Sequence, residues 1–522
     1  MSVDHQYIEV SPQRAIGGAE FGNGLQDFIF NIQRPNACFM DKSYMKFEMK
    51  VTGPGGAVPN VGNQIALAEN CIANMYLNAI FMAGGQNVSS LMNYFPQCSA
   101  VEYRTSHSGA WLDRVGAYTQ CYNGDRSSRI AALSSTLGAT QLAIPLAEGK
   151  AEIYKPTDGR TPDTANVTVA TATGVCTGAL GTLFTDADIG STIVINGCSF
   201  RIKSRTSDTE VVLDSPTIGA IAATTNWHCG RRNLIYSTQA RNTVQVLWRP
   251  TGLGIFRHNE PLGSGAYQLQ LSPNPNFKLT AIEYPYSSAT GYRTAALMTA
   301  AVYDLNVVSA KLYIAIAKMS IPDSIDTLRL TEYHCQSKKM SNESGDFQWT
   351  IPASTTCIYM FLQDTTAGSN CVIPPSVFRV NGSGTAGVLP VSTGEEQPLT
   401  LMQVTYANVT KPPSATWGPG FAANSNYLVQ MYFQSQIENH AEDDVGGIET
   451  MDQWLQRGPL YCWRFERDAS DRSVEVQTQV TYTMTPLMVW QTANLFLCAE
   501  FTKATEISTS NGAIVSVRSL NI

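Results

Sequence analysis

Short segments in which apolar and polar residues alternate recur along this chain, each bounded by Gly, Pro, Asn or Ser, while helical periodicity is scarce. In Met45 to Val51 the apolar Met45, Phe47, Met49 and Val51 alternate with Lys46, Glu48 and Lys50. Such a strand buries one face and wets the other. The same alternation runs through Ser473 to Met484, with Val474, Val476, Thr478, Val480, Tyr482 and Met484 on one side. A short helical or irregular stretch from Ala66 leads into a strand over Met75 to Met82, and Gly84-Gly85 predicts a tight hairpin. A helix is expected near Ser99 to Ser106. Further strands are expected at Thr243 to Trp248, Tyr267 to Leu271, Lys278 to Glu283 and Ser309 to Ala317.

From about Ile321 the rhythm restarts, with strands expected at Asp326 to Tyr333, Cys357 to Gln363, Leu399 to Tyr406, Leu428 to Ser435, Tyr461 to Glu466, Val474 to Met484 and Leu495 to Phe501. The two halves hold similar numbers of strands, although they do not align residue for residue. Between them in character lies the stretch from about Ala151 to Asn226, rich in Thr, Ala, Gly and Asp and poor in aromatics. Short strands there, Val167 to Ala170, Ser191 to Ile195, Ser199 to Ser204 and Glu210 to Leu213, predict a small β domain inserted in an exposed loop. The expected organisation is all-β: residues 1–150 and 228–318 form a first sandwich, 151–227 the insertion, and 319–522 a second sandwich.

Composition narrows the function. A chain of 522 residues exceeds one ordinary core, and only 15% of its residues are charged against 43% hydrophobic. That balance suits a surface largely covered by other protein, and self-association is the simplest cover. The formal net charge is −7 and no Lys/Arg run occurs, so direct, sequence-specific nucleic-acid binding is not expected. The first ten residues are polar and acidic, unlike a secretory signal, which predicts a protein made and kept inside a cell. The longest apolar region, Ala295 to Ala317, is broken by Asp304, Asn306 and Lys311, so no transmembrane segment is predicted.

The order of several stretches resembles a known family. These are Phe39-Met40-Asp41-Lys42-Ser43-Tyr44-Met45-Lys46-Phe47, then Ile72 to Ile80 through Gly85-Gln86-Asn87-Val88, then Val246-Leu247-Trp248-Arg249-Pro250 with Gly254-Ile255-Phe256 and Leu262-Gly263-Ser264-Gly265. In the second half, Tyr427 to Phe433, Gly458 to Phe465, Leu495 to Phe501 and Ala513 to Val517 continue the series. Together they resemble the double jelly-roll major capsid proteins of the adenovirus, virophage and polinton-like virus lineage. The resemblance implies two consecutive jelly rolls, a homotrimer tiling an icosahedral shell around a DNA genome, and residence in the virion. Neighbouring capsomers, penton proteins and minor capsid proteins are the partners it implies. The insertion resembles small β modules of phage tail and fibre proteins, through Gly174 to Gly178 and Gly181 to Thr185, and implies an attachment surface toward a host receptor. The alternative is a β-rich tail-fibre or lectin-like protein that binds surface glycans.

No set of residues assembles into a catalytic, cofactor-binding or metal site in this reading, and no enzyme is expected. Gly382 to Gly387 fits G-x-G-x-x-G but is followed by Val388-Leu389-Pro390 instead of a helix, so a loop is expected. Glu438, Glu442, Asp443 and Asp444 around His440 read as a solvated acidic loop, with an ion at a trimer contact as the sharper reading. His5, His107, His228, His258, His334 and His440 include no H-E-x-x-H. The 12 cysteines contain no C-x-x-C pair and are expected as buried thiols, Cys176 and Cys198 being the pair that oxidising conditions could join. Trp248, Trp417, Trp454, Trp463 and Trp490 are expected in cores and interfaces, with a sugar-stacking platform as the alternative.

Overall fold

A computed structural model describes residues 5–13, 27–34, 36–52, 65–67, 70–108, 111, 153–154, 166–170, 174–178, 184, 192–195, 198–213, 220–224, 227–230, 234–235, 243–275, 281–283, 304–318, 325–340, 344–364, 399–406, 409–411, 425–436, 454, 459–464, 476–484, 493–510 and 513–520. In the first half, β1 (His5–Val10), β2 (Phe28–Arg34), β3 (Cys38–Thr52), β4 (Tyr76–Ala83), β5 (Gln86–Leu91), β6 (Thr243–Trp248), β7 (Gly265–Pro273) and β8 (Asp304–Ala317) form two antiparallel sheets. Their strand orders are β1-β8-β3-β6 and β2-β7-β4-β5. In the second half, β9 (Ile325–Lys339), β10 (Ser344–Ile351), β11 (Thr355–Asp364), β12 (Leu399–Tyr406), β13 (Val409–Lys411), β14 (Tyr461–Arg464), β15 (Val476–Met484) and β16 (Ala493–Ser510) form β9-β16-β11-β14 and β10-β15-β12-β13.

Adding eight to each strand label of the first half reproduces the second half, strand for strand. This is the two-Greek-key connectivity of a jelly roll, used twice. The fold is therefore a double jelly roll. The repeat extends to the helices: α1 (Phe95–Ser106) follows β5, and α2 (Ser425–Gln436) follows β13. Residues 428–435 were expected as a strand and are helical instead. Tyr427, Leu428, Met431 and Tyr432 recur at the spacing of one helical face, and Met431 and Tyr432 pack beside Trp454, so burial selects the helix over the β preference of the aromatics.

Alternation sets the inner faces of the first sandwich. Met45, Phe47 and Met49 of β3 are buried opposite Phe28, Phe30 and Ile32 of β2, while Lys46 and Glu48 point away and stay half-buried. The β4–β5 hairpin turns on Gly84 and Gly85, whose φ values of 54° and 81° are those a two-residue primed turn requires of both central residues.

The second sandwich departs from simple alternation in one sheet. In β11, Ile358, Met360 and Leu362 join the sandwich's own core, while Cys357, Tyr359 and Phe361 join the core continuous with the first sandwich. In β16, Leu495, Leu497 and Ala499 face the former core, and Phe496 and Cys498 the latter. A sheet buried on both faces reads as an unbroken apolar run, as in Cys357-Ile358-Tyr359-Met360-Phe361-Leu362.

Between α1 and β6, strands from Ile153 to Gly230 pair only among themselves within the described residues, in one sheet of eight strands. Its first strand, Ile153–Tyr154, pairs with its last, Trp227–Gly230, so the chain enters and leaves at adjacent positions. The sheet has a core of its own around Val169, Cys176, Phe184, Ile193 and Val211. Of the strand expected at 278–283, only Ile282–Glu283 is described as strand, in a small sheet with Ile65–Leu67 and Leu234–Ile235. A final strand, β17 (Ala513–Leu520), pairs with the end of β16.

Two-sided burial makes a specific prediction. Met360→Ala and Phe361→Ala, on opposite faces of β11, should each destabilise the protein by about 2–5 kcal/mol in chemical denaturation, whereas Lys46→Ala should cost less than about 0.5 kcal/mol. A negligible effect of either β11 substitution would contradict the two-faced sheet.

Candidate functional site

The outward-looking face of β9-β16-β11-β14 is covered by the first sandwich through α1 and the 3-10 turn Gly254–Arg257. Pro96 in the first turn of α1 brings a preset φ and removes an N–H that would otherwise go unpaired. Residues 95–105 of the helix are all buried, as befits a helix lodged between two bodies. Asn70, in a left-handed conformation (φ 58°), ties it down: its amide donates to Pro96 O at 3.2 Å and its Oδ1 accepts from Ser99 Oγ at 3.2 Å.

From this helix a row of side chains reaches the second sandwich. Tyr94 Oη lies 2.9 Å from Ser337 Oγ, and its ring meets Phe496 edge-on at 5.5 Å. Gln97 Nε2 donates to Gln363 Oε1 at 3.1 Å, and Cys98 Sγ lies 4.0 Å from Cys498 Sγ. From elsewhere in the seam, the Gly263 N–H donates to Asp326 Oδ2 at 3.0 Å, and Lys503 Nζ donates to Val88 O at 2.9 Å. Ile514 of β17 packs on Gly84 and Gly265, so the last strand clasps the first sandwich.

Charged groups are enclosed in the same layer. Arg257 donates to Thr331 O at 2.6 Å, and its guanidinium sits 5.3 Å from the centre of the Tyr333 ring. Burial works against its charge, but Tyr333, Glu102, Glu500 and Glu332 more than offset that and hold its pKa above the ordinary value. Glu102 is fully buried and accepts from Thr251 Oγ1 at 2.6 Å, with His107 Nε2 3.6 Å away. Burial raises the Glu332 carboxyl to about 7, although Ser89, Lys503 and Arg257 pull it the other way. Cys357 and Cys462, on adjacent strands, bring their sulfurs to 3.1 Å.

A second face matters by contrast. The outer side of β1-β8-β3-β6, the counterpart of the covered sheet, carries Tyr44 stacked on Tyr313 at 5.2 Å and Tyr7 edge-on to Tyr44 at 5.5 Å. Glu9 pairs with Lys311 and accepts from Tyr313 Oη at 3.0 Å. Tyr7, Leu247 and Val308 are 48%, 48% and 45% exposed on this sheet.

The candidates named from sequence do not converge. His107 stacks on Trp111 at 3.8 Å, His258 has its pKa lowered by burial, and His334 lies at the surface beside Gln336. Trp248, Trp454 and Trp463 are fully buried and offer no stacking platform to a sugar. Cys176 is a buried free thiol that burial pushes up to about 12; the Cys198 side chain lies outside the described residues. Gly382 to Gly387, the Glu438 to Asp444 loop with His440, Trp417 and Trp490 also lie outside them. The seam is not marked by any of these candidates. Its signal was the unbroken apolar runs of β11 and β16; nothing in Ala100-Val101-Glu102-Tyr103-Arg104 tells a reader that the helix is enclosed.

The architecture is that of the double jelly-roll class. No protein-family model matches the chain, and no curated protein matches it in sequence. Among solved structures it is similar to a chain of the Sputnik virophage structure, at 12% identity and a TM-score of 0.49, covering 100% of this chain and 89% of that one. It is also similar to the Faustovirus major capsid protein, at 10% identity and a TM-score of 0.46, covering 96% and 90%. The mavirus major capsid protein aligns at 9% identity and a TM-score of 0.38, covering 99% and 90%. The strand order described above defines the fold without these likenesses.

Two measurements probe the seam. A Cβ on Gly254 would stand 2.4 Å from Thr331 O, so Gly254→Ala must push the 3-10 turn off β9. It should lower stability by roughly 1–3 kcal/mol or more in thermal or chemical unfolding; an unchanged midpoint would mean that the turn is not seated there. Because the Glu332 carboxyl titrates higher in the folded chain than in the unfolded one, its ionisation costs stability as pH rises from about 4.5 towards 7. Glu332→Gln should therefore gain up to about 3 kcal/mol relative to the parent above pH 7 and nothing at pH 4. Parallel pH profiles for the two proteins would refute this.

Proposed function

We propose that this protein is a major capsid protein: a structural subunit that trimerises into pseudo-hexameric capsomers and tiles an icosahedral shell in the virion. The observation that carries the reading is a repeat used once inside the chain and left open at its ends. The α1 side of the first sandwich covers β9-β16-β11-β14 of the second. The counterpart face of the first sandwich, the outer side of β1-β8-β3-β6, keeps Tyr7, Leu247 and Val308 exposed, and α2, the counterpart of α1, touches α1 on one side and faces solvent on another. Phe433 of α2 is 46% exposed, opposite in role to the exposed Leu247 and Val308.

Matching these surfaces between copies makes a head-to-tail contact, and such contacts close into rings when the rotation permits. Six sandwiches in a ring are three chains, which agrees with the threefold block that the family resemblance implies. A chain with 15% charged residues suits a subunit whose flanks are buried against copies of itself. The role assigned to the chain is structural, with no catalytic step.

The strands from 153 to 230 form the inserted module of this reading. Their separate core and adjacent ends support a body carried on a loop of the first sandwich, suited to attachment at a host receptor. Penton and minor capsid proteins are the further partners, and a DNA genome the cargo enclosed without direct contact by a basic face. The proposal is tested by the mass of the purified chain in solution. A trimer is expected, and Leu247→Asp with Val308→Asp should leave a folded monomer, since exposed substitutions rarely change stability by more than about 0.5 kcal/mol. A monomeric parent protein, or a trimer indifferent to both substitutions, would contradict the proposal.

A further inference from the structure

Three thiols meet in the seam. Cys98 comes from α1 in the first sandwich; Cys335 and Cys498 face each other directly across the β9–β16 ladder of the second. Their sulfurs all lie within 4.8 Å of one another, and all three residues are buried. We propose that this trio is a three-thiolate site for a soft, thiophilic metal ion, copper(I) by preference, which fastens the two sandwiches together from within.

The geometry fits before any side chain moves. With metal–sulfur bonds of about 2.3 Å, three sulfurs around a planar three-coordinate ion stand about 4.0 Å apart. Cys98 and Cys498 are separated by 4.0 Å. Among the described residues no fourth histidine, cysteine or carboxylate joins the group, which disfavours zinc, an ion that takes four ligands in structural sites. An all-sulfur set selects soft ions.

A metal ion entering as the chain folds displaces the thiol protons to solvent and leaves three sulfur ligands. The site does not depend on shell assembly, since every ligand belongs to one chain.

The test is metal content. The full chain is produced in cells grown with added copper, and separately with added zinc, then dialysed against a weak chelator and analysed for metal per chain. One copper per chain is expected, falling to background in Cys98→Ser and in Cys335→Ser, and retained in Cys38→Ser, which alters a buried thiol outside the trio. X-ray absorption at the copper edge should show sulfur neighbours only, at the distance of three-coordinate copper(I). Absence of stoichiometric copper from the parent protein overturns the site, as does copper that persists in both trio variants. Stoichiometric zinc that depends on the trio overturns the assignment of a three-coordinate ion. A Cys98–Cys498 disulfide found by mass spectrometry in the copper-grown protein overturns the site as well.

Discussion

A β-sheet with two apolar faces cannot stand with one of them in water, and the sheet β9-β16-β11-β14 is such a sheet. Its inner face closes the second sandwich around Trp349, Met360 and Leu497; its outer face, with Tyr359, Phe361 and Phe496, needs a cover of similar area. The first sandwich supplies it through a helix buried on every side and a glycine turn that touches the strand backbone. The two sandwiches are therefore one folding problem, and their relative placement is set by packing instead of by a tether. The closing strand β17 adds to this by laying Ile514 on two glycines of the first sandwich.

The same constraint explains why the second copy of the repeat is not a replica of the first. Strand order is conserved between the halves, but the outer face of β3 reads Tyr44, Lys46, Glu48, whereas the corresponding face of β11 reads Cys357, Tyr359, Phe361. One face is permanently covered within the chain. The other keeps charges and tyrosines. The difference between the halves thus records which face is covered within the described chain.

Much of this was legible in the sequence. Alternation located β3, β4, β6, β7, β8 and most of the second half. The failures have physical causes. β1 was missed because His5 to Val10 lies at a sheet edge with little buried surface, and so carries a weak pattern. β2 shows the same alternation in Phe28, Phe30 and Ile32, over a strand of 7 residues. Residues 428–435 were misread because aromatic residues favour strands in isolation, while the packing beside Trp454 asks for a helix. The apolar runs of β11 and β16 mark the seam, but its thiols are not legible, because Cys98, Cys335 and Cys498 lie far apart in the chain and meet only through the pairing of strands and the docking of α1. No local window holds that information.

The central claim is that one mode of contact, used inside the chain, is used again between chains. Electron cryomicroscopy of the assembled protein tests it most directly. The account predicts α2 of one copy seated on Tyr44, Leu247 and Tyr313 of the next, in the pose that α1 adopts on β11 and β16. A bare β1-β8-β3-β6 face in the assembly, or a contact made through other surfaces, would contradict it.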